Sequence, residues 1–497
     1  MSEKVTRRRL FRPPLKYRSE GAAGMTVTGT LVVIGIVIIG FIVAMVPFPV
    51  IMKLGIMIPI VIFGIGFVVS FQGRTVWELI LGGIGRARQV SEGEAMYRSG
   101  PFTSIPHGTP IPGLGVTSQV IDVHPTDGSE PFAMIQLRSR RLYTVVLRAW
   151  PQGREWDDEA RKDMRVSRLG DTIAFLAQTA DVVAIESVIE TVPESGQMAS
   201  ATVRARLSPD APDVVKQSMV EAVEEVPTAE VRGEARIAIT FAADTSFRKR
   251  DPEAMGTDIT RRLRRIMDYF ETAGVPVRPM LEFELAATVR RSFSPGQELQ
   301  IERGLATGEP MEIPWEDAGP VSASDQHGVY IHDGCQSVSW TLEKPPEATF
   351  DSQILSELLL PRADLPRKRV ALIWEPYTPS EATTIVNRDD RDARQAMRQT
   401  IGAQISERAI VRNEQASAAK YEQARGAGMT RLSMIVTATV PVGGDIARTE
   451  AMVTNLTSAA ALKMRSAKGQ QGPAFLAGLG IGVLLPQESS TTDRLAA

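Results

Sequence analysis

The chain has 497 residues, a formal net charge of -2 and a single cysteine, Cys335. That length holds more than one domain. The charge excludes the strongly basic balance of a general nucleic-acid binder, and one thiol excludes an internal disulfide or a multi-cysteine metal site. A hydrophobic fraction of 43% is enough for real cores.

Residues 1–20 form a basic arm. Lys4, Arg7, Arg8, Arg9, Arg12, Lys16 and Arg18 stand against Glu3 and Glu20, giving +5 and leaving the rest of the chain near -7. From Gly21 to Met52 there is no charge, Lys53 interrupts, and Leu54–Phe71 is again uncharged. Each side of the break is long enough to cross a ~30 Å hydrocarbon layer, the second only just. Pro47 and Pro49 mark the turn and Pro59 falls inside the second span. The expectation is a transmembrane helical hairpin over 21–72, both termini in the cytoplasm. Basic residues flank both ends, and Arg7, Arg8, Arg9, Arg12, Lys16, Arg18 and Arg74 set that topology. The apolar stretch is too long for a signal peptide and a second span follows it. The arm also suits anionic lipid.

Residues 73–115 read as a juxtamembrane connector, with Trp77 at an interfacial position and a loop crowded with Pro101, Pro106, Pro110, Pro112, Gly108, Gly113 and Gly115. A first α/β domain is expected over 116–292. Strands are predicted at 132–137, 142–150, 182–192, 235–242 and 281–289, with helices at 157–181, 208–226 and 259–273. Gly274 is placed to cap the last of these. The sheet is expected to be covered mostly on one face. Residues 293–378, rich in Pro and Gly, hold further strands at 338–342 and 369–374. Residues 379–497 form a C-terminal α/β module. Within it Ser380 opens a short helix, 389–427 is a long charged helix or hairpin with Ala396, Ile401, Ile405 and Ile410 as a sparse apolar face, and 432–440 is a strand. A helix over 445–467 and a short apolar run over 470–485 complete the module, which echoes the first domain in element type without detectable sequence repetition. The fold class is therefore α+β: an N-terminal transmembrane helical hairpin followed by a large mixed α/β cytoplasmic body.

Motifs for chemistry are missing from the sequence. There is no G-x-x-x-x-G-K-[ST], no H-E-x-x-H and no G-x-S-x-G. Gly478, Gly480 and Gly482 lack dinucleotide spacing. His327 and His332 are five apart, which on a strand places them on opposite faces rather than on one metal. Neighbouring carboxylates such as Asp389–Asp390 and Glu224–Glu225 read as solvated helix ends. No catalytic residue, cofactor or metal is expected.

Several segments carry a resemblance. They are the basic arm and hairpin, Pro112-Gly113-Leu114, Pro131-Phe132-Ala133, Tyr143-Thr144-Val145-Val146-Leu147-Arg148, Trp374-Glu375-Pro376-Tyr377 and Phe475-Leu476-Ala477-Gly478-Leu479. The chain resembles a family of actinobacterial two-span membrane proteins associated with conjugation-type (type IV) secretion ATPases. Its hairpin is similar to the small inner-membrane subunit, and its body to the non-catalytic N-terminal region of the assembly ATPase. In those ATPases the Walker lysine would follow the closing strand, and the chain is expected to lack that segment. The resemblance implies a non-enzymatic, multi-pass scaffold in the inner (plasma) membrane that positions a motor ATPase. Its partners would be membrane lipid, the ATPase and other membrane subunits of the complex, with no direct nucleic-acid contact and self-association left open. Arg398, Arg408 and Arg412 on the charged helix are the candidate docking residues. Two alternatives stand beside it: a type VII secretion membrane subunit, which has a similar architecture, and a membrane-anchored glycosyltransferase-like enzyme, which would need a pocket with two carboxylates.

Overall fold

The computed structural model describes residues 27–485 apart from 48, 72–73, 152–158, 195, 197–202, 204–205, 209, 225–230, 244–250, 308, 345–352, 399–406 and 425–428. The described residues fall into two units, one up to Ala95 and one from Met96 to Leu485.

The first unit holds helices Val27–Met45 and Val50–Val68, the two-residue strands β1 (Ser70–Phe71) and β2 (Arg74–Thr75), and helix Val76–Ser91. Valine, isoleucine and glycine dominate the first two helices, and nothing in their sequences patterns one face as polar. Gly64 lies directly against the Ile36 side chain, which would have to shift to admit a Cβ there. The Trp77 indole N–H donates to the Phe63 carbonyl at 2.8 Å, and its ring packs at a tilt against Phe63 and Phe67. Among the described residues one stretch, Val50–Phe67, is long and apolar enough to cross a membrane; Leu31–Met45 is apolar but shorter.

The second unit is mixed α/β and is built on one antiparallel sheet, thirteen strands among the described residues. Its chain order begins with β3 (Met96–Arg98), the meander β4 (Ser118–Val123), β5 (Phe132–Leu137) and β6 (Leu142–Ala149), and helix Glu159–Ala177. Then come β7 (Val182–Pro193), helix Asp213–Glu224, β8 (Val231–Ala242), helix Pro252–Thr272, β9 (Val277–Pro279) and helix Glu282–Phe293. Helix Pro252–Thr272 starts seven residues before the expected point. Asp251 caps it by accepting from the N–H groups of Glu253 and Ala254, and Pro252 takes the first turn, where its missing N–H costs nothing. Met255, Ile259, Leu263, Ile266 and Phe270 form its buried stripe, and Gly274 closes it at φ +80°.

The same plan runs a second time. Helix Glu298–Thr307 leads to the meander β10 (Ser322–Asp325), β11 (Tyr330–His332) and β12 (Cys335–Lys344), then β13 (Lys368–Pro376). Helices Pro379–Arg398 and Glu407–Ala424, β14 (Thr430–Pro441), helix Ile446–Ala459, β15 (Lys463–Ser466) and helix Gln471–Ala477 follow. In space the order is β4-β5-β6-β8-β7 and then β13-β14-β12-β11-β10, with β9 beside β6 and β15 beside β12. The registers repeat as well. The first residue of β6 opposes the last of β8 (Leu142↔Ala242), as the first of β12 opposes the last of β14 (Cys335↔Pro441). The sixth residue of β6 meets the end of β9 (Leu147↔Pro279), as the sixth of β12 meets the end of β15 (Trp340↔Ser466). The halves join where β7 and β13 pair, from Lys368↔Thr191 to Trp374↔Ile185. The body is thus two copies of one motif related by a pseudo-twofold axis.

Both faces of the sheet are covered, which corrects the expectation of one. On one face Tyr143, Val145, Ile237 and Phe241 pack against helices Glu159–Ala177 and Pro252–Thr272, and Val370 and Val436 meet helix Ile446–Ala459 in the second half. On the other face a single core runs across both halves. Ile135, Val146, Val188 and Ala371 lie under Leu285, Phe293, Phe475 and the closing segment Leu479–Leu484. Two element predictions are also corrected. Residues 281–289 are helical: Leu-Glu-Phe-Glu-Leu alternates like a strand, but Glu284 accepts from the Leu281 N–H and starts a helix buried on several sides. The predicted helix 445–467 ends at Ala459, because Ala461 turns at φ +52° and Lys463–Ser466 pairs with β12.

Candidate functional site

Strand alternation places Glu186, Glu190, Arg236 and Arg369 on the same face at the seam between the halves, all buried. Arg236 donates to Glu190 at 2.8 Å, and Arg369 reaches the other Glu190 oxygen at 3.4 Å while its guanidinium lies 4.7 Å over the Phe475 ring. Arg236 also donates to the Leu479 carbonyl. Next to this group Arg291 pairs with Glu234 and, at 3.7 Å, with Glu298. Arg232 bridges Glu234 and Glu302, and Arg367 bonds Glu298. Arg148 and Arg278 converge on Glu284. Charges this deep are tolerated only when paired and hydrogen-bonded.

The two carboxylates of β7 are driven apart. Burial pushes Glu186 up to about 8, and the attraction of Arg236 and Arg369 offsets only part of that. Burial would raise Glu190 too, but Arg236, Arg369 and Arg291 overcome it and hold it down at about 2. Glu186 is therefore a neutral acid at pH 7 and Glu190 a carboxylate. Such a split is what an acid–base pair needs, so the space around them decides. Gly480 sits on Val188 and its N–H donates to Glu186. The neighbouring recess, lined by Glu190, Ser292, Arg367, Arg369, Thr437 and Thr439, has room for about one water molecule. No substrate fits. The arrangement fixes the register of β7 on β13 and seats the closing segment.

A chain of hydroxyls continues along this face. Thr144 bonds Thr240 at 3.0 Å, Ser339 bonds Thr437 at 2.9 Å and Ser337 bonds Thr439 at 2.7 Å. His332 ends it. Its Nδ1–H donates to the Phe293 carbonyl, leaving Nε2 to accept from Ser337. Burial lowers its pKa to about 4, so the ring is neutral. With both nitrogens used in this way His332 is a packed core residue. Among the described residues no three His, Cys, Asp or Glu side chains are grouped to hold a metal, and Cys335 is a buried free thiol.

The residues singled out in the sequence lie elsewhere. Arg7, Arg8, Arg9, Arg12, Lys16 and Arg18 fall outside the described residues, and Arg74 is described only as backbone, in β2. Arg398 is the last residue of helix Pro379–Arg398, and Arg408 and Arg412 lie in the first turns of Glu407–Ala424, their side chains again outside the description. The predicted long charged segment is two helices. They are joined by Asp390, which is buried and takes Lys420 at 2.8 Å and Arg394 at 3.1 Å. Buried Ala393 and Ala416 lie on these helices, and Ile410 is 40% exposed. The pair is inserted between β13 and β14, where the first half carries Asp213–Glu224 between β7 and β8. Sequence reasoning missed the seam, whose only local signal is charge (Glu186, Glu190, Arg236) within strands that otherwise read as core. No protein-family model matches the chain, and comparison with curated proteins found no match.

Proposed function

We propose that the protein is a non-enzymatic, membrane-anchored scaffold that positions a motor ATPase of a secretion or conjugation complex at the inner membrane. The observation that carries the anchoring is the surface of the two N-terminal helices: Phe41 is 64%, Ile51 85% and Phe63 52% exposed within an apolar stretch. Leaving such a surface in water would cost about 25 cal/mol per Å² of apolar area. Lipid removes that cost, so the helices insert as a two-span hairpin, with the Lys53 ammonium bonded to the Ala44 carbonyl near the turn and both chain ends in the cytoplasm. A scaffold rather than an enzyme is favoured by the oppositely shifted carboxylates Glu186 and Glu190 lying under a closing segment, beside a recess with room for about one water molecule. The choice of a motor ATPase, and of type IV over type VII secretion, rests on the sequence resemblance.

The helix pair Pro379–Arg398 and Glu407–Ala424 is the docking face in this reading, with Arg398, Arg408 and Arg412 providing orientation. The test is extraction in mild detergent followed by identification of co-purifying proteins. Wild type is expected in the carbonate-resistant membrane fraction and to bring an ATPase with it. Reversal of the three arginines to glutamate is expected to leave insertion unchanged and to lose the ATPase. Full ATPase recovery with the triple variant removes this face. A protein released by carbonate overturns the anchor.

A further inference from the structure

The two halves differ at their outer edges. In the second half β10 is covered by β3, with Ser322↔Arg98 and Ser324↔Met96. The equivalent strand of the first half, β4, pairs with β5 on its inner side, and among the described residues nothing pairs with its outer backbone. Which groups point outward follows from the ladder. The Arg138 N–H donates to the Thr117 carbonyl directly opposite, so residues 117, 119, 121 and 123 face β5. The Ala133 N–H, opposite Asp122, turns away from β4 to the Met280 carbonyl, in agreement. Ser118, Val120 and Asp122 therefore present free N–H and C=O groups outward. Natural edges are usually blunted by lysine, proline or a bulge. Ser-Gln-Val-Ile-Asp-Val has neither of these residues, and its register with β5 is unbroken.

We propose that β4 pairs antiparallel with β4 of a second copy of this chain, extending the sheet across a molecular twofold axis through Val120. The edge is self-complementary about that residue. Val120 opposes its own copy and Ser118 opposes Asp122, so the one charge of the edge never faces its like. Pairing elsewhere loses this: an axis through Asp122 sets two carboxylates side by side. Backbone bonds supply the affinity and the half-buried Val120 and Ile121 the register. The pairing depends on the sheet edge alone and is independent of the anchoring role.

The experiment is disulfide cross-linking of the full chain in native membranes, in a Cys335→Ala background. The double variant Ser118→Cys/Asp122→Cys is expected to give a covalent dimer on mild oxidation, because 118 and 122 meet across the axis. Neither single variant should do so, since like positions are then about 13 Å apart along the strand and beyond disulfide reach. Val120→Pro, which removes an outward N–H and leaves the β5 ladder intact, is expected to convert the dimer to monomer in light scattering after detergent extraction. Cross-linking in the singles as strong as in the double, no cross-link in the double, a monomeric wild type, or a dimer that survives Val120→Pro each overturns the proposal. So does a foreign polypeptide trapped at Ser118 or Asp122 in place of a second copy.

Discussion

Thr144 and Ser337 occupy the same place in the two halves of the sheet. Each is the third residue of its strand, and each bonds a threonine on the neighbouring strand, Thr240 at 3.0 Å and Thr439 at 2.7 Å. What covers them differs. Gly482 lies on Thr144, whereas His332 bonds Ser337. The duplicated frame thus carries two different lids.

The first lid allows no side chain. A Cβ at Gly482 would fall 2.1 Å from the Thr144 hydroxyl, at a φ of +83°. Gly482→Ala is expected to destabilise the body by about 2–4 kcal/mol, from strain at positive φ together with overpacking. Gly128, at φ +78° with open space around it, is the control, and its alanine variant should lose only about 1 kcal/mol. Denaturant melts of both variants check this; equal losses would mean that the contact with Thr144 is unimportant.

Glu186 makes stability fall as pH rises. Its folded-state pKa of about 8 lies above that of the unfolded chain, so its contribution is full below pH 4.5 and is lost as pH climbs towards 8. Glu186→Gln should flatten the decline in thermal stability between pH 6 and 9, a change on the order of 1 kcal/mol or more. A wild type and variant with parallel pH profiles would exclude a neutral Glu186.

His332 acts in the opposite sense. Its folded-state pKa of about 4 lies below the ordinary 6.5, so the unfolded chain binds the proton first. Stability is lost as pH falls from 6.5 towards 4. Replacing His332 by Gln should remove that acid sensitivity. Tm recorded from pH 7 to 4.5 reads it directly.

Arg291 sits between Glu234 and Glu298 and is almost fully buried. Arg291→Ala leaves two buried carboxylates short of a partner and should cost about 3–5 kcal/mol. Arg394→Ala, at an exposed side chain paired with Asp390, should cost under about 1 kcal/mol. Urea denaturation distinguishes them, and similar losses would show that the seam is not energetically special.

For the proposed anchor, a cysteine at Lys53 in the Cys335→Ala background should be labelled from outside intact cells by an impermeant maleimide, and a cysteine at Arg86 should not. The reverse pattern would invert the topology, and no external labelling at either position would remove the two-span arrangement.

Composition alone determined the apolar helices, because charge-free runs need no partner to be recognised. Local signals were also enough for the body of helix Pro252–Thr272 and its stop at Gly274, though not for its start at Asp251 and Pro252, and for β5, β6, β8 and β14, whose β-branched and aromatic residues are themselves strand-forming. Tertiary structure alone decided the rest. Glu190 is 46 residues from Arg236 and 179 from Arg369, so no window of sequence contains the seam. The Leu281–Leu285 alternation suits a strand, and only burial on several sides makes it the start of a helix. Thr144 and Ser337 became equivalent only through the register of β6 on β8 and of β12 on β14. A sheet ladder joins residues by position across strands, and sequence spacing records position along one strand only.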